Sequence, residues 1–276
     1  MTARAQMGEF EIVPIFDGTL SSGLERIPDL EDRAAAARLT GVASGAPIIM
    51  DVYGFLVRGP DGVALIDTGS GNKKGPNTGR LLGNLATAGV SPETIDRIYM
   101  THWHGDHFGG LTDDAGAAVF PRAELIVTEP EARFWFDTPK QTMPARAQLA
   151  FDAAQEAIAP YRNRLRIVPR DGAYRGLKAL PSPGHTPGHA GWLISSGGSA
   201  TLAWGDVIHI AAIHLPRPRT GFEYDLDPGL AAESRLKTLE FVARERILVA
   251  GSHLDAPGLG YILKEGKAFR LEPFSG

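Results

Sequence analysis

At 276 residues, with 43% hydrophobic and 22% charged residues, the chain is long enough to bury a full core in one or two domains. A net charge of −4 gives no basic footprint for nucleic acid and no cationic face for a membrane surface, and no apolar run reaches membrane-spanning length. The absence of cysteine excludes disulfides, thiolate catalysis and thiolate ligands, so any transition metal must sit on His, Asp or Glu.

The start, MTARAQMGEFEIV, lacks the apolar centre of a secretory signal, which predicts a cytoplasmic location. EFEIVPIFDG reads as a first strand ending in a turn. Residues from about 17 to 50 are predicted as a loop with one short helix around Ala34. VYGFLVRGPDGVALIDTG reads as a hairpin turning at Pro60-Asp61-Gly62. NTGRLLGNLATAGV spaces Leu81, Leu82 and Leu85 as a helix that stops at Gly89, with Pro92 beyond. RIYMT and AELIVTE are strands, and EPEARFWF and ARAQLAFDAAQEAIAPY turn helical. LKALPSPG, AGWLISS and SATLAWGD follow as strands, then a helix over Leu230 to Val242 and a last short strand, RILVAG. Strand-like runs alternating with helical ones, without internal repeat or linker, predict a single-domain α/β protein.

The chemistry gathers where strands end. RIYMT runs into THWHGDHFGG, which puts His102, His104, Asp106 and His107 within six residues of a chain that has eight histidines. His102 and His104 alternate along extended backbone and point the same way, and Gly105 lets the chain turn so that Asp106 and His107 converge nearby. Imidazole nitrogen and carboxylate oxygen suit zinc, and also iron, manganese or cobalt. Further donors stand at later strand ends: His185 and His189 in SPGHTPGH, Asp206 in LAWGD and His253 in LVAGSH. Together they could close a pair of metal positions.

The segments THWHGDH, PGHTPGH, WGD and GSH occur in the order and spacing of the metallo-β-lactamase fold hydrolases, which this chain resembles over roughly Gly8 to Pro273. The flanking GPNTGRLLGNLATAGVSPETIDRIYMTH and SHLDAPGLGYI are similar to methyl parathion hydrolase and related lactonases and arylesterases. The resemblance implies a four-layer αβ/βα sandwich: two mixed sheets with helices outside and the metal site at one edge. It implies His102, His104 and His189 as ligands of a first ion, Asp106, His107 and His253 as ligands of a second, and Asp206 as the bridge. His185 and Asp67 are then expected to support the ligands from behind.

The same resemblance implies two divalent ions, zinc first among them, about 3.5–4 Å apart with a bridging hydroxide as nucleophile. Asp106 would carry the proton to the leaving group. An apolar wall is expected from Phe134 and Trp135. Three residues after the bridge, N-acyl homoserine lactonases place a tyrosine and methyl parathion hydrolase a leucine; here it is His209, which can donate to a carbonyl or a developing oxyanion. These features predict a hydrolase of lactones or aryl esters. Phosphotriester cleavage and a non-catalytic metal-binding protein are the alternatives. The substrate is expected to be a small molecule, and the N-terminal region is expected to shape the active-site rim and a homodimer contact.

Overall fold

In the computed structural model, residues 3–28, 39–42 and 46–276 are described. The helix expected around Ala34 lies outside them. The first sheet runs in sequence order through β1 (Ala5–Met7), β2 (Phe10–Ser22), β3 (Ile48–Gly59), β4 (Gly62–Ile66), β5 (Arg97–Tyr99), β6 (Glu124–Thr128) and β7 (Leu165–Val168). The second sheet contains β8 (Ala173–Tyr174), β9 (Leu177–Pro181), β10 (Ala190–Ser196), β11 (Ser199–Ala203), β12 (Leu248–Ala250), β13 (Leu259–Glu265) and β14 (Ala268–Pro273), again in order from one edge to the other. Both sheets are mixed: β4 to β7 pair in parallel, as do β11 and β12, and the other neighbours are antiparallel.

The strands that read as continuous apolar runs are covered on both faces. In β6, Leu125 and Val127 face one core while Ile126 faces another, and in β12 Val249 is turned away from Leu248 and Ala250. The alternation sorts side chains into three layers. One core packs the first sheet against α1 (Leu81–Thr87) and α4 (Ala145–Ile158). A second fills the seam between the sheets with Ile12, Phe55, Tyr99, Trp192 and Leu248. A third packs the second sheet against α6 (Pro228–Glu245), whose start is capped by Asp227 accepting from the Leu230 N–H. Between these lie three one-turn helices, α2 (Gly105–Phe108), α3 (Glu129–Ala132) and α5 (Ala211–His214). The result is the four-layer sandwich. No described helix is long and apolar enough to cross a membrane.

Two readings change. The chain does not end its core at RILVAG, because β13 and β14 extend the second sheet as a hairpin over residues that mix Lys, Glu and Arg with apolar partners. The first strand also runs on to Ser22, past a register shift between Phe16 and Gly18, and so carries its C-terminal end toward the site.

Trp192 joins the seam to that site. Its ring meets Tyr99 edge-on at 4.9 Å, and its indole N–H donates to the Met100 carbonyl at 2.9 Å, just ahead of the histidine loop. Trp192→Phe is expected to lower the unfolding free energy by about 1–3 kcal/mol, since it removes the donor from a buried carbonyl. Urea denaturation of the metal-free protein measures this, and an unchanged midpoint would refute it.

Candidate metal centre

The strands β4, β5, β9, β11 and β12 deliver their C-terminal ends to one edge of the sandwich, and every sequence-predicted ligand lies on the loops that follow. The turn after β4 is set by Asp67, whose φ of 57° is unusual for a residue with a side chain. Three donors hold it there. Thr101 gives its N–H (2.8 Å) and its hydroxyl (2.7 Å) to the Asp67 carboxylate, and His107 Nδ1 lies 2.8 Å from Oδ2. After β11, Gly205 takes φ +59°, and a Cβ there would lie 2.6 Å from His189 Nε2 and 2.7 Å from Thr101 Oγ1. Only glycine lets Asp206 approach so closely.

Two groups of donors converge. His102, His104, His185 and Asp206 form one, and Asp106, His107 and His253 the other, with the donor atoms of each group within 4.8 Å of one another. Asp206 faces both. Its Oδ2 lies 3.1 Å from His185 Nε2 and 3.6 Å from His102 Nε2, while its Oδ1 lies 3.0 Å from His107 Nε2 and 3.4 Å from His253 Nε2. His107 Nε2, His253 Nε2 and Asp206 Oδ1 are nonetheless buried without a hydrogen-bond partner, because they aim at shared space rather than along a bond. Orphaned imidazole and carboxylate atoms sharing one space fit divalent transition ions.

The electrostatics agree. Burial works against the charge on Asp206, yet His107, His253 and His102 around it hold its pKa well below the ordinary value. Burial likewise opposes protonation of His107, but Asp206 and Asp67 outweigh it and hold its pKa well above normal. His253 is raised by Asp206 against the same penalty, and His185 reaches about 9 through its bonds to Asp206 and Asp225. His102 and His104 go well down, through burial and their imidazole neighbours. The site attracts positive charge.

Within PGHTPGH the two histidines exchange the parts expected of them. His189 is not at the centre: its Nδ1 lies 2.9 Å from the Ser182 carbonyl oxygen and its Nε2 accepts the Asp206 N–H at 3.0 Å, so both ring nitrogens are engaged by backbone. His185 stands among the donors of the first group instead. Its Nδ1 meets Asp225 Oδ1 at 2.9 Å, which leaves Nε2 to face Asp206 and His104. His209 lines the cavity, and its ring is already engaged there. Its Nε2 lies 3.1 Å from Asp206 Oδ2, and burial brings its pKa down to about 4. The single N–H of a neutral ring is therefore taken by Asp206, and the ring stacks on Phe222 at 4.2 Å.

The aromatic cluster divides. Trp135 is buried, lines the cavity and stands edge-on to His104 at 6.0 Å. Phe134, one position before it in the π-helical turn over Arg133–Asp137, is only partly buried, packs against Trp135 and the first core, and does not line the cavity. Sequence reasoning missed Glu131, Asp225 and Arg235. Asp225 is paired with His185 and lies 3.5 Å from the buried guanidinium of Arg235. Nothing in the composition around Asp225 distinguishes it from a surface turn residue. For Glu131 the one available signal is its four-residue spacing from Trp135.

The centre forms the floor of a cavity of about 900 Å³. Leu20, Met50, Trp135, Phe222 and Leu226 make its apolar wall, and Arg26 and Arg146, both bonded to Glu223, stand among its lining.

Comparison with known proteins places this geometry. The Metallo-beta-lactamase superfamily profile matches residues 50–253, which hold all the donors of both groups. The "Probable metallo-hydrolase" of Mycobacterium bovis is 27% identical over 197 residues, 61% of this chain, and the chain spans about 60% of that relative's length. Among solved structures, the hydrolase AbOPH of the beta lactamase superfamily superposes with a TM-score of 0.93 at 29% identity, covering 100% of this chain and 98% of that one. AidC, a dizinc quorum-quenching lactonase in complex with a product, superposes with a TM-score of 0.91 at 28% identity and the same coverage. With the profile matching most of its length and the sandwich carrying the donor loops at one edge, the chain belongs to the metallo-beta-lactamase superfamily.

Proposed function

We propose that the chain is a dinuclear metal-dependent hydrolase of lactones or aryl esters. One observation carries this reading: Asp206 turns one oxygen to each donor group, and both groups lie at the floor of a cavity. A site built only to brace the fold would be closed and four-coordinate. Bound there, two divalent ions, zinc first among the candidates, would supply a nucleophile from water at neutral pH and polarise the scissile carbonyl.

The chain's own residues do the rest. His102, His104, His185 and Asp206 would hold one ion, and Asp106, His107, His253 and Asp206 the other. Asp106 lines the cavity with its Oδ2 3.5 Å from His253 Nε2, where it can hand a proton to a leaving oxygen. His209 holds Asp206 by its Nε2 and so fixes the bridge rather than the substrate. The apolar wall takes an acyl or aryl substituent and excludes water beside the floor. The likeness to AidC supports a lactone as the substrate.

The reading is tested on reconstituted protein with N-hexanoyl homoserine lactone, dihydrocoumarin, p-nitrophenyl acetate and paraoxon. The three carbonyl substrates are expected to turn over faster than paraoxon, with activity lost to a chelator and restored by excess zinc. Protein that binds two ions and hydrolyses none of the carbonyl substrates would sink this reading; paraoxon turnover alone would then assign a phosphotriesterase.

Asp225 offers a second test, because it fixes which nitrogen of His185 faces the centre. Asp225→Asn is expected to lower kcat/KM or metal affinity about 10–100-fold, as supporting carboxylates of metal-binding histidines commonly do. Steady-state kinetics at saturating zinc, alongside a zinc titration, separates the two. An effect under twofold in both would remove Asp225 from the site.

A further inference from the structure

Glu131, on the one-turn helix α3, is 1% exposed, yet its partners are all neutral donors. Its Oε1 accepts the Trp103 backbone N–H at 2.7 Å and the Trp135 indole N–H at 2.8 Å. Its Oε2 accepts the Thr186 hydroxyl at 2.7 Å and the Gly188 N–H at 3.0 Å. One buried carboxylate thus ties together the loop after β5, the loop after β9 and the π-helical turn. The fit is close: a Cβ on Gly188 would lie 2.1 Å from the Glu131 nitrogen.

Those attachments fall on one donor group only. Trp103 lies between His102 and His104, and Thr186 follows His185, so the three histidines of the first group hang from backbone that Glu131 grips. The second group takes none of the bonds of Glu131, although Asp67, which holds His107, also holds Thr101 beside His102. His107 is fixed by Asp67 at 2.8 Å, and His253 Nδ1 lies 2.8 Å from the Asp51 carbonyl oxygen.

We propose that Glu131 is the positioning residue for the His102–His104–His185 ion position alone, so that the two positions of the pair can be weakened separately. The inference rests on the dinuclear reading above. Both oxygens are saturated by donors, so no neutral isostere replaces the carboxylate: the amide of Glu131→Gln must turn an NH2 toward either the Trp103 and Trp135 N–H groups or the Gly188 N–H. The oxygen that fixes Trp103 also fixes Trp135, so one contact sets a piece of the cavity wall together with the ligand backbone.

The test counts ions rather than turnover. Wild type and Glu131→Gln are loaded with zinc, dialysed against metal-free buffer and assayed by mass spectrometry. Histidine ring 15N shifts then show which imidazoles remain ligated. Wild type is expected to keep two ions per chain. Glu131→Gln is expected to keep one, held by His107 and His253, with affinity for the other lowered about 10–100-fold. Thr186→Val removes a single donor, and if Glu131→Gln fails to fold it should show a smaller loss of the same ion. Loss of both ions together, or retention of both at wild-type affinity, would overturn the inference with the dinuclear reading intact. Fewer than two ions on wild type would overturn the dinuclear reading, and this inference with it.

Discussion

The site turns on a single buried carboxylate. Asp206 is 4% exposed, and a carboxylate taken out of water without compensation is costly enough to protonate or to unfold its surroundings. Here it does neither, because His185, His107, His253 and His209 place ring nitrogens 3.0–3.4 Å from its oxygens. At three of those rings, His185, His107 and His253, the pull of Asp206 outweighs burial and raises the pKa. Divalent ions bound there would compete with protons for the same nitrogens, so uptake of metal would release protons.

Around this carboxylate stand three others that touch none of the shared space themselves. Asp67 fixes His107, Asp225 fixes His185, and Glu131 fixes the backbone beside His102, His104 and His185. Asp67 acts on the loop after β5, Asp225 on the loop after β9, and Glu131 on both. A ligand histidine that is free to rotate costs affinity, and a carboxylate on its far nitrogen removes that freedom. The strand ends bring the loops to one edge, and the buried acids give them their final angle.

Much of this could be read in the sequence, and the exceptions share a cause. THWHGDH, WGD and GSH announced themselves because several donor types fall at strand ends, and the apolar runs gave the sheets because both their faces are covered. In PGHTPGH the two histidines sit in nearly the same local sequence, and only the bonds of His189, donated to the Ser182 carbonyl and accepted from the Asp206 N–H, show which ring is already engaged. Phe134 and Trp135 are neighbours on a helix, and which of the two faces reaches the cavity depends on packing that the local sequence does not show. Glu131 looks like an exposed acid in the first turn of a helix. Its burial depends on two loops, the nearer about thirty and the farther more than fifty residues along the chain, and no local pattern reports that. The hairpin of β13 and β14 stayed hidden because its polar residues blurred the alternation.

The division of donors between the sheets has a consequence for stability. The loop after β5 in the first sheet supplies His102, His104, Asp106 and His107, while loops of the second supply His185, Asp206 and His253. Each donor group mixes the two sources, so either ion alone would tie one sheet to the other across the seam that Tyr99 and Trp192 fill. A ligand present at a hundredfold excess over its Kd stabilises the folded state by about 2.7 kcal/mol per site. Because each ion would hold the same seam, the loss of one would leave the sheets joined by the other. On the dinuclear reading, such a site could give up an ion without giving up the fold.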